Sequence, residues 1–252
     1  MTTGRGARSR CRLRALVATL GGLAVVACSP DGSATQAADA PEWSQQRDRM
    51  VRQQIEARGV KAPDLLESMR QVPRHLFVPE ESRSGAYADS PLPIGDGQTI
   101  SQPYIVALMT ELLEVGEGDT VLEIGTGSGY QAAVLAEMGV EVFSIEIRPR
   151  LCESARQTLD RLGYDKAHVR CGDGYAGWPD EAPFDGIVVT AAPERIPDPL
   201  LDQLAVGANM VIPVGAFYQE LKVITRTEEA FEERSVIPVR FVPMTGEVER
   251  QE

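Results

Sequence analysis

The stretch Thr120–Ala136, TVLEIGTGSGYQAAVLA, decides how the rest of the chain is read. Val121, Leu122 and Ile124 form a short apolar, partly β-branched run, the pattern of a strand buried on both faces. Glycines follow at positions 125, 127 and 129, and Ala132–Ala136 then supply the apolar side of a helix laid against a sheet. A strand, a glycine turn and a helix start make a site for a nucleotide-like ligand. Glycine takes positive φ and admits close approach, and the first turn of a helix carries unpaired N–H groups. Spacing selects among nucleotides. The dinucleotide pattern G-x-G-x-x-G/A needs a small residue at position 130, where this chain has Tyr130. An acid followed by three alternate glycines is met in full by Glu123, Gly125, Gly127 and Gly129. A carboxylate at Glu123 suits a cationic ammonium, not a pyrophosphate.

The front of the chain is of a different kind. Residues 1–27 hold Arg5, Arg8, Arg10, Arg12 and Arg14 and no acid, and Ala15–Ala27 is a 13-residue apolar run. That run is short for a bilayer span but fits a signal-peptide core behind a basic region. It ends Val25-Val26-Ala27-Cys28, which resembles a bacterial lipobox with Cys28 as the lipidated residue. A fortuitous apolar leader is the alternative, with translation starting near Met50 and a cytoplasmic product. Residues 28–42, small and polar, read as a flexible tether of roughly 20 Å. Residues 43–252 then form one globular length without repeats. Without the five leader arginines, 20 basic residues face 37 acidic ones, a net charge of −17. So acidic a surface argues against a nucleic-acid partner. Membrane contact is expected only through an anchor at Cys28, and a monomer is favoured.

In the folded part, Ser44–Arg58 reads as a helix closed by Gly59, and Pro63 opens a second helix that ends before Pro73. Val72–Glu80, VPRHLFVPE, is an apolar patch between two prolines, where His75 reads as a packing or surface residue rather than a catalyst. Gly85–Tyr104, GAYADSPLPIGDGQTISQPY, is too irregular for a strand and too apolar for a free linker, so it reads as a shaped loop over a site. Helix Pro103–Leu113 follows, which puts Ser101 and Gln102 at its amino end among unpaired N–H groups; a plain N-cap is the equal alternative for Ser101. Further strands are expected at 141–147, 167–171, 184–190, 209–213, 221–225 and 236–242, with a helix over 149–162. Glu146, near a strand end, is placed to accept ribose hydroxyls. Asp173, in the turn Gly172-Asp173-Gly174, is placed to approach an adenine or serves the turn alone. Cys152 and Cys171 are expected as two buried thiols, with pairing open to them in an oxidising compartment. With only His75 and His168 as imidazoles, no metal site is expected.

Alternating strands and helices imply an α/β fold with a doubly wound, mostly parallel sheet, whose ligand lies at the carboxyl ends of the strands. The acidic-glycine pattern resembles motif I of the class I S-adenosylmethionine-dependent methyltransferases. VPRHLFVP (72–79), PLPIGDGQTISQPY (91–104), VLEIGTGSGYQAAVLA (121–136), GDG (172–174), VTAAP (189–193) and VRFVPMTG (239–246) together look like the protein-L-isoaspartate O-methyltransferases. The resemblance runs from Met50 onward; motif I is widely shared, and the QTISQP and VRFVP stretches are more particular to this family. It implies S-adenosylmethionine as cofactor, held by Glu123, Gly125, Thr126, Gly127, Gly129, Glu146, Asp173 and Gly174. It implies Ser101 as the active-site hydroxyl, and substrate contacts at Pro93, Ile94, Thr99, Ile100, Ala192, Val242 and Pro243. The leader departs from the family, whose members begin near the equivalent of Met50 and work in the cytosol.

The implied reaction methylates the free carboxyl of an isoaspartyl residue in a damaged protein, after which the ester closes to a succinimide without the enzyme. Such a carboxylate is already ionised at neutral pH, so the chain's poverty of bases is no obstacle. Two rivals share the cofactor landmarks. One is a class I methyltransferase for another carboxylate or small molecule. The other is a catalytically silent S-adenosylmethionine-binding protein of the cell envelope, which would have no need of the QTISQP loop.

Overall fold

Neighbouring side chains in a strand leave on opposite faces, and Val121 and Leu122 accordingly bury themselves in two different apolar clusters. The computed structural model describes residues 40–247. The leader, Cys28 and the tether up to residue 39 lie outside the described residues.

In chain order, α1 (Pro41–Met50) continues through a π-helical segment (Val51–Ile55) and a 3-10 turn (Glu56–Arg58), and Gly59 at φ 100° ends it. The helix expected from Ser44 therefore begins at Pro41, taking in the last residues assigned to the tether. Next come α2 (Pro63–Gln71), β1 (Leu92–Gly95), β2 (Gln98–Ile100) and α3 (Pro103–Leu113). The βα units follow as β3 (Thr120–Ile124), α4 (Tyr130–Glu137), β4 (Glu141–Glu146), α5 (Pro149–Leu162), β5 (Ala167–Cys171) and β6 (Phe184–Val189). The chain closes with α6 (Asp198–Asp202), β7 (Leu204–Val214), β8 (Gln219–Arg226) and β9 (Phe231–Val239).

The sheet order is β5-β4-β3-β6-β7-β8-β9. Pairing is parallel from β5 to β7 and antiparallel from β7 to β9. One face carries Val121, Val142, Val188 and Val211, packed with Met50, Leu65, Val106 and Val134 from the helices. The other carries Leu122, Ile145, Ile187 and Met210 and is covered by Leu200, Leu204 and Met244. Each of these large side chains is fully or nearly fully buried, worth about 1.5–3 kcal/mol apiece. After β3 the chain turns toward β4, and after β6 it turns the opposite way toward β7. The crevice of this α/β sheet therefore opens between the carboxyl ends of β3 and β6, where the winding reverses.

Three expectations are corrected. The loop over 85–104 contains a two-stranded hairpin, with Leu92 opposite Ile100 and Gly95 opposite Gln98. Asp96 and Gly97 turn it with φ of 49° and 71°, two successive positive values, as a type I′ turn requires and Asp-Gly supplies. Strand β9 begins at Phe231 rather than 236, because its first half, FEERS, is exposed. An edge strand can be polar, and apolarity alone does not find it. Cys152 and Cys171 are not free thiols: a disulfide joins them across a Cα–Cα distance of 5.5 Å. It ties the first turn of α5 to the end of β5, where Cys171 lies beside Glu146. The bridge spans 19 positions, and loop entropy for that length is about 3 kcal/mol. Reduction, or Cys152→Ser, is expected to lower stability by about that much in urea titrations; an unchanged midpoint would show that the bridge contributes nothing.

Candidate active site

The glycine turn is built around its neighbour rather than around itself. Gly125 lies at φ 98°, and a Cβ there would come within 2.3 Å of Thr190 Oγ1. That hydroxyl shares its single proton between Gly125 O at 2.6 Å and Ile124 O at 3.0 Å, joining the ends of β3 and β6. Gly127, at φ 55°, faces Ile94 of the hairpin, whose Cδ1 is 3.4 Å from the Cβ position. Gly129, at φ 86°, opens α4 and packs under Leu159.

Glu123 is entirely buried. Its Oε2 accepts from Ser144 Oγ, and since that spends the Ser144 proton, Thr126 Oγ1 donates to Ser144 Oγ in turn, at 2.6 Å. Glu123 Oε1 has no hydrogen-bond partner among the described residues. Burial pushes its pKa up to about 8, opposed by the Ser144 hydrogen bond and assisted by the nearby Glu146 carboxylate. A buried acceptor left open beside a cavity is fitted to a donor brought by a ligand. Glu146 accepts from Gly127 N at 2.8 Å through one oxygen and from Arg148 N at 2.9 Å through the other. Asp173 accepts from Tyr175 N at 2.9 Å and from Glu247 N at 2.6 Å. It holds its own turn and ties down the chain's carboxyl-terminal segment.

Three adjoining cavities meet at Thr99 and Thr190, which line all of them. The first brings Gly125, Glu146 and Gly174 against Val242 and Pro243. The second brings Ile100 and Ser101 against Glu123 and Thr126. The third, about 530 Å³, opens between Ser101 and the segment Pro238–Val242. Of the expected site residues, Gly127, Gly129, Asp173, Pro93, Ile94 and Ala192 line none of these three. Ala192 instead forms an isolated bridge with Pro243, accepting from Met244 N at 2.8 Å and donating to Val242 O at 2.9 Å.

Residues 45–249 match the family model described as protein-L-isoaspartate(D-aspartate) O-methyltransferase. The chain belongs to that family. The protein-L-isoaspartate O-methyltransferase of Gloeobacter violaceus is 58% identical over 200 residues, covering 79% of this chain and 98% of that one. The protein-L-isoaspartate O-methyltransferase 2 of Shewanella sediminis is 54% identical over 210 residues, 82% of this chain and 86% of that one. Among solved structures, a protein-L-isoaspartate O-methyltransferase matches with a TM-score of 0.74 at 29% identity, covering 80% of this chain and 67% of that one. A Plasmodium falciparum structure in complex with S-adenosyl-L-homocysteine matches with a TM-score of 0.69 at 25% identity, covering 79% and 98%.

Within this family framework, sequence reasoning missed two residues. Thr190 follows the last apolar residue of β6, and the strand-end rule alone could have pointed to it. Arg74 is completely buried in the VPRHLFVP patch. Its Nη2 donates to Ser101 O at 2.7 Å and its Nε to Ala86 O at 2.8 Å, while its guanidinium lies 4.7 Å from the Tyr130 ring centroid. Burial lowers its pKa to about 10, so it stays charged at neutral pH. A cation in an apolar run has to be satisfied internally, and that was its signal. Ser101 is consequently fixed through its carbonyl. Gln102, not Ser101, takes the N-cap position of α3, and no side chain caps it. His75 is buried, stacked on Trp43 at 4.6 Å and bonded to Tyr87 Oη at 2.7 Å.

The raised Glu123 pKa fixes a sign. At pH 7 the free protein holds this carboxyl mostly protonated, and a bound ammonium favours the carboxylate, so binding expels a proton. Affinity for S-adenosylmethionine is expected to rise between pH 5.5 and 7.5, by at most about tenfold per unit. In Glu123→Gln the slope should vanish. Calorimetry giving the same slope in both proteins would refute the assignment.

Proposed function

We infer that this protein transfers a methyl group from S-adenosylmethionine to the free carboxyl of L-isoaspartyl residues in damaged proteins and peptides. The carrying observation is the chemistry of the 530 Å³ cavity that adjoins the glycine turn. It offers a hydroxyl at Ser101 and a cation at Arg240, and neither a carboxylate nor an imidazole lines it. An amine or alcohol acceptor would need a base there. A carboxylate arrives ionised. The decisive assay offers labelled S-adenosylmethionine with a matched pair of isoaspartyl and aspartyl peptides. Label in the isoaspartyl peptide alone is expected; label in both or in neither would defeat the inference.

S-adenosylmethionine supplies an electrophilic methyl on a sulfonium. The residues fit it: Glu123 offers an open acceptor to its ammonium, Glu146 offers carboxylate oxygens to ribose hydroxyls, and Gly125 lines the cavity with backbone alone. We assign Ser101 to hold the acceptor carboxylate by a hydrogen bond, at a place fixed by Arg74. The β1–β2 hairpin covers the glycine turn and limits water. Positioning and water exclusion then carry the rate, and together they can supply several kcal/mol.

Ser101→Ala is expected to lower turnover on isoaspartyl peptide roughly tenfold to a hundredfold, corresponding to about 1–3 kcal/mol. Cofactor affinity should stay within a few-fold. Wild-type turnover would remove Ser101 from the chemistry.

We further propose that the chain is exported and lipid-anchored at Cys28 as a cell-envelope protein. The order of basic start, apolar core, cysteine and polar tether supports this. So does the Cys152–Cys171 disulfide, since such bonds persist in oxidising compartments and are rare in cytosolic proteins. A start at Met50 would also discard packed structure. Trp43 stacks on His75 and Arg47 Nε donates to Arg70 O, and both contacts would be lost. Cys28→Ser is expected to release the protein from the membrane fraction. A protein begun at Met50 should lose about 3 kcal/mol or more, the scale of deleting a large packed side chain. Equal stability, with both cysteine forms found in the cytosol, would reverse the proposal.

A further inference from the structure

Beside the glycine turn lies a cavity of about 270 Å³ that shares Gly127 and Ile94 with the expected cofactor and substrate contacts, but whose charged and hydroxyl side chains the methyl-transfer reading leaves unused. It is walled by α5, by the segment from Leu76 to Arg83, and by Gly127 and Ser128. Ser154, Thr158 and Arg161 of α5 all line it. Their spacing, four and then three residues, sets them on one face of the helix. Arg83 approaches from the 3-10 segment Glu80–Gly85, and Ser128 adds a third hydroxyl. Two guanidinium groups from separate elements therefore converge on one polar hollow.

Both arginines are left over. Arg52, Arg58 and Arg70 each meet a carboxylate, in a chain with 37 acidic and 25 basic residues. Neither Arg83 nor Arg161 has a side-chain hydrogen bond or ion pair among the described residues. Arg83 Nε is moreover shielded from solvent with no acceptor, an arrangement that carries an uncompensated cost. Glu80 is the lone carboxylate on the lining, and it is exposed and unpaired.

We propose that this cavity binds a small tetrahedral oxyanion of the phosphate class. Two guanidinium forks and three hydroxyls provide more donors than a carboxylate can accept, and guanidinium geometry matches a phosphate edge. A dianion would balance the two charges and fill the open acceptor need of Arg83 Nε. Ser128 also lines the compartment of Glu123, so the anion site adjoins the cofactor site without coinciding with it. The proposal is independent of which acceptor the enzyme methylates.

The test titrates full-chain protein with inorganic phosphate at constant ionic strength, by calorimetry and by thermal melting. Saturable one-to-one binding is expected, with a rise in melting temperature, and it should persist when S-adenosylmethionine is saturating. Arg161→Gln, an exposed position that should fold normally, and Arg83→Gln are each expected to weaken phosphate binding at least tenfold while leaving S-adenosylmethionine affinity unchanged. A phosphate terminus on a larger metabolite would show as tighter, competitive binding of a sugar phosphate, which also supports the site. Three outcomes would overturn it. Chloride at matched ionic strength could reproduce the effect, the variants could bind phosphate as the parent does, or S-adenosylmethionine could displace phosphate from the cavity.

Discussion

Between the ends of β3 and β6 a hydroxyl occupies the space that any side chain at position 125 would need. Thr190 Oγ1 bonds two successive carbonyls of the neighbouring strand, Ile124 and Gly125, at the point where the sheet reverses its winding. Everything at the site is measured from that contact. It sets where the glycine turn leaves the sheet, and so where Glu123 and Glu146 stand relative to each other. It also makes Thr190 a wall common to the cavity beside Glu146 and the cavity beside Ser101. A methyl added at Gly125 would not merely crowd a ligand; it would separate two strands of the parallel core.

Charge is handled inside the protein in two opposite ways. Glu123 is buried without a cation and answers by holding its proton, with one oxygen tied to Ser144 and the other open. Arg74 is buried without an anion and answers with carbonyl oxygens and an aromatic face. The first group is left incomplete in a way that a cationic ligand would complete. The second is largely satisfied by the chain itself, and its work is to hold Ser101 by the backbone. That division separates binding from positioning within one small volume.

Much of this was legible in the sequence because local chemistry and tertiary structure agree. Pro63, Pro103 and Pro149 each open a helix where proline at the first turn predicts one, and β3 and β6 lie where their apolar runs stand. The hairpin was legible too, through Asp96-Gly97, but the prolines around it masked the signal. The disulfide was not, because two cysteines 19 positions apart become neighbours only once α5 packs beside β5. Arg74 shows the same limit. Its residue type promised the surface, and only the fold shows that Ser101 and Ala86 bring their carbonyls to it.

The segment after β9 bears on time rather than affinity. Residues Val242–Thr245 form one wall of the cavity beside Gly125 and Glu146. They are fastened by Ala192 N to Val242 O at 2.9 Å, Met244 N to Ala192 O at 2.8 Å and Glu247 N to Asp173 Oδ2 at 2.6 Å. At about 1 kcal/mol for each bond, with about 1.5–3 kcal/mol more for exposing the buried Met244, lifting the segment costs about 4.5–6 kcal/mol, and the lifted form is then populated at roughly 0.05% or less. Spent cofactor enclosed by this wall would leave only during those openings, which for segment motions of this kind fall in microseconds to milliseconds. The strap would thus work as an escapement: the bonds that complete the pocket would also set the interval between one turnover and the next.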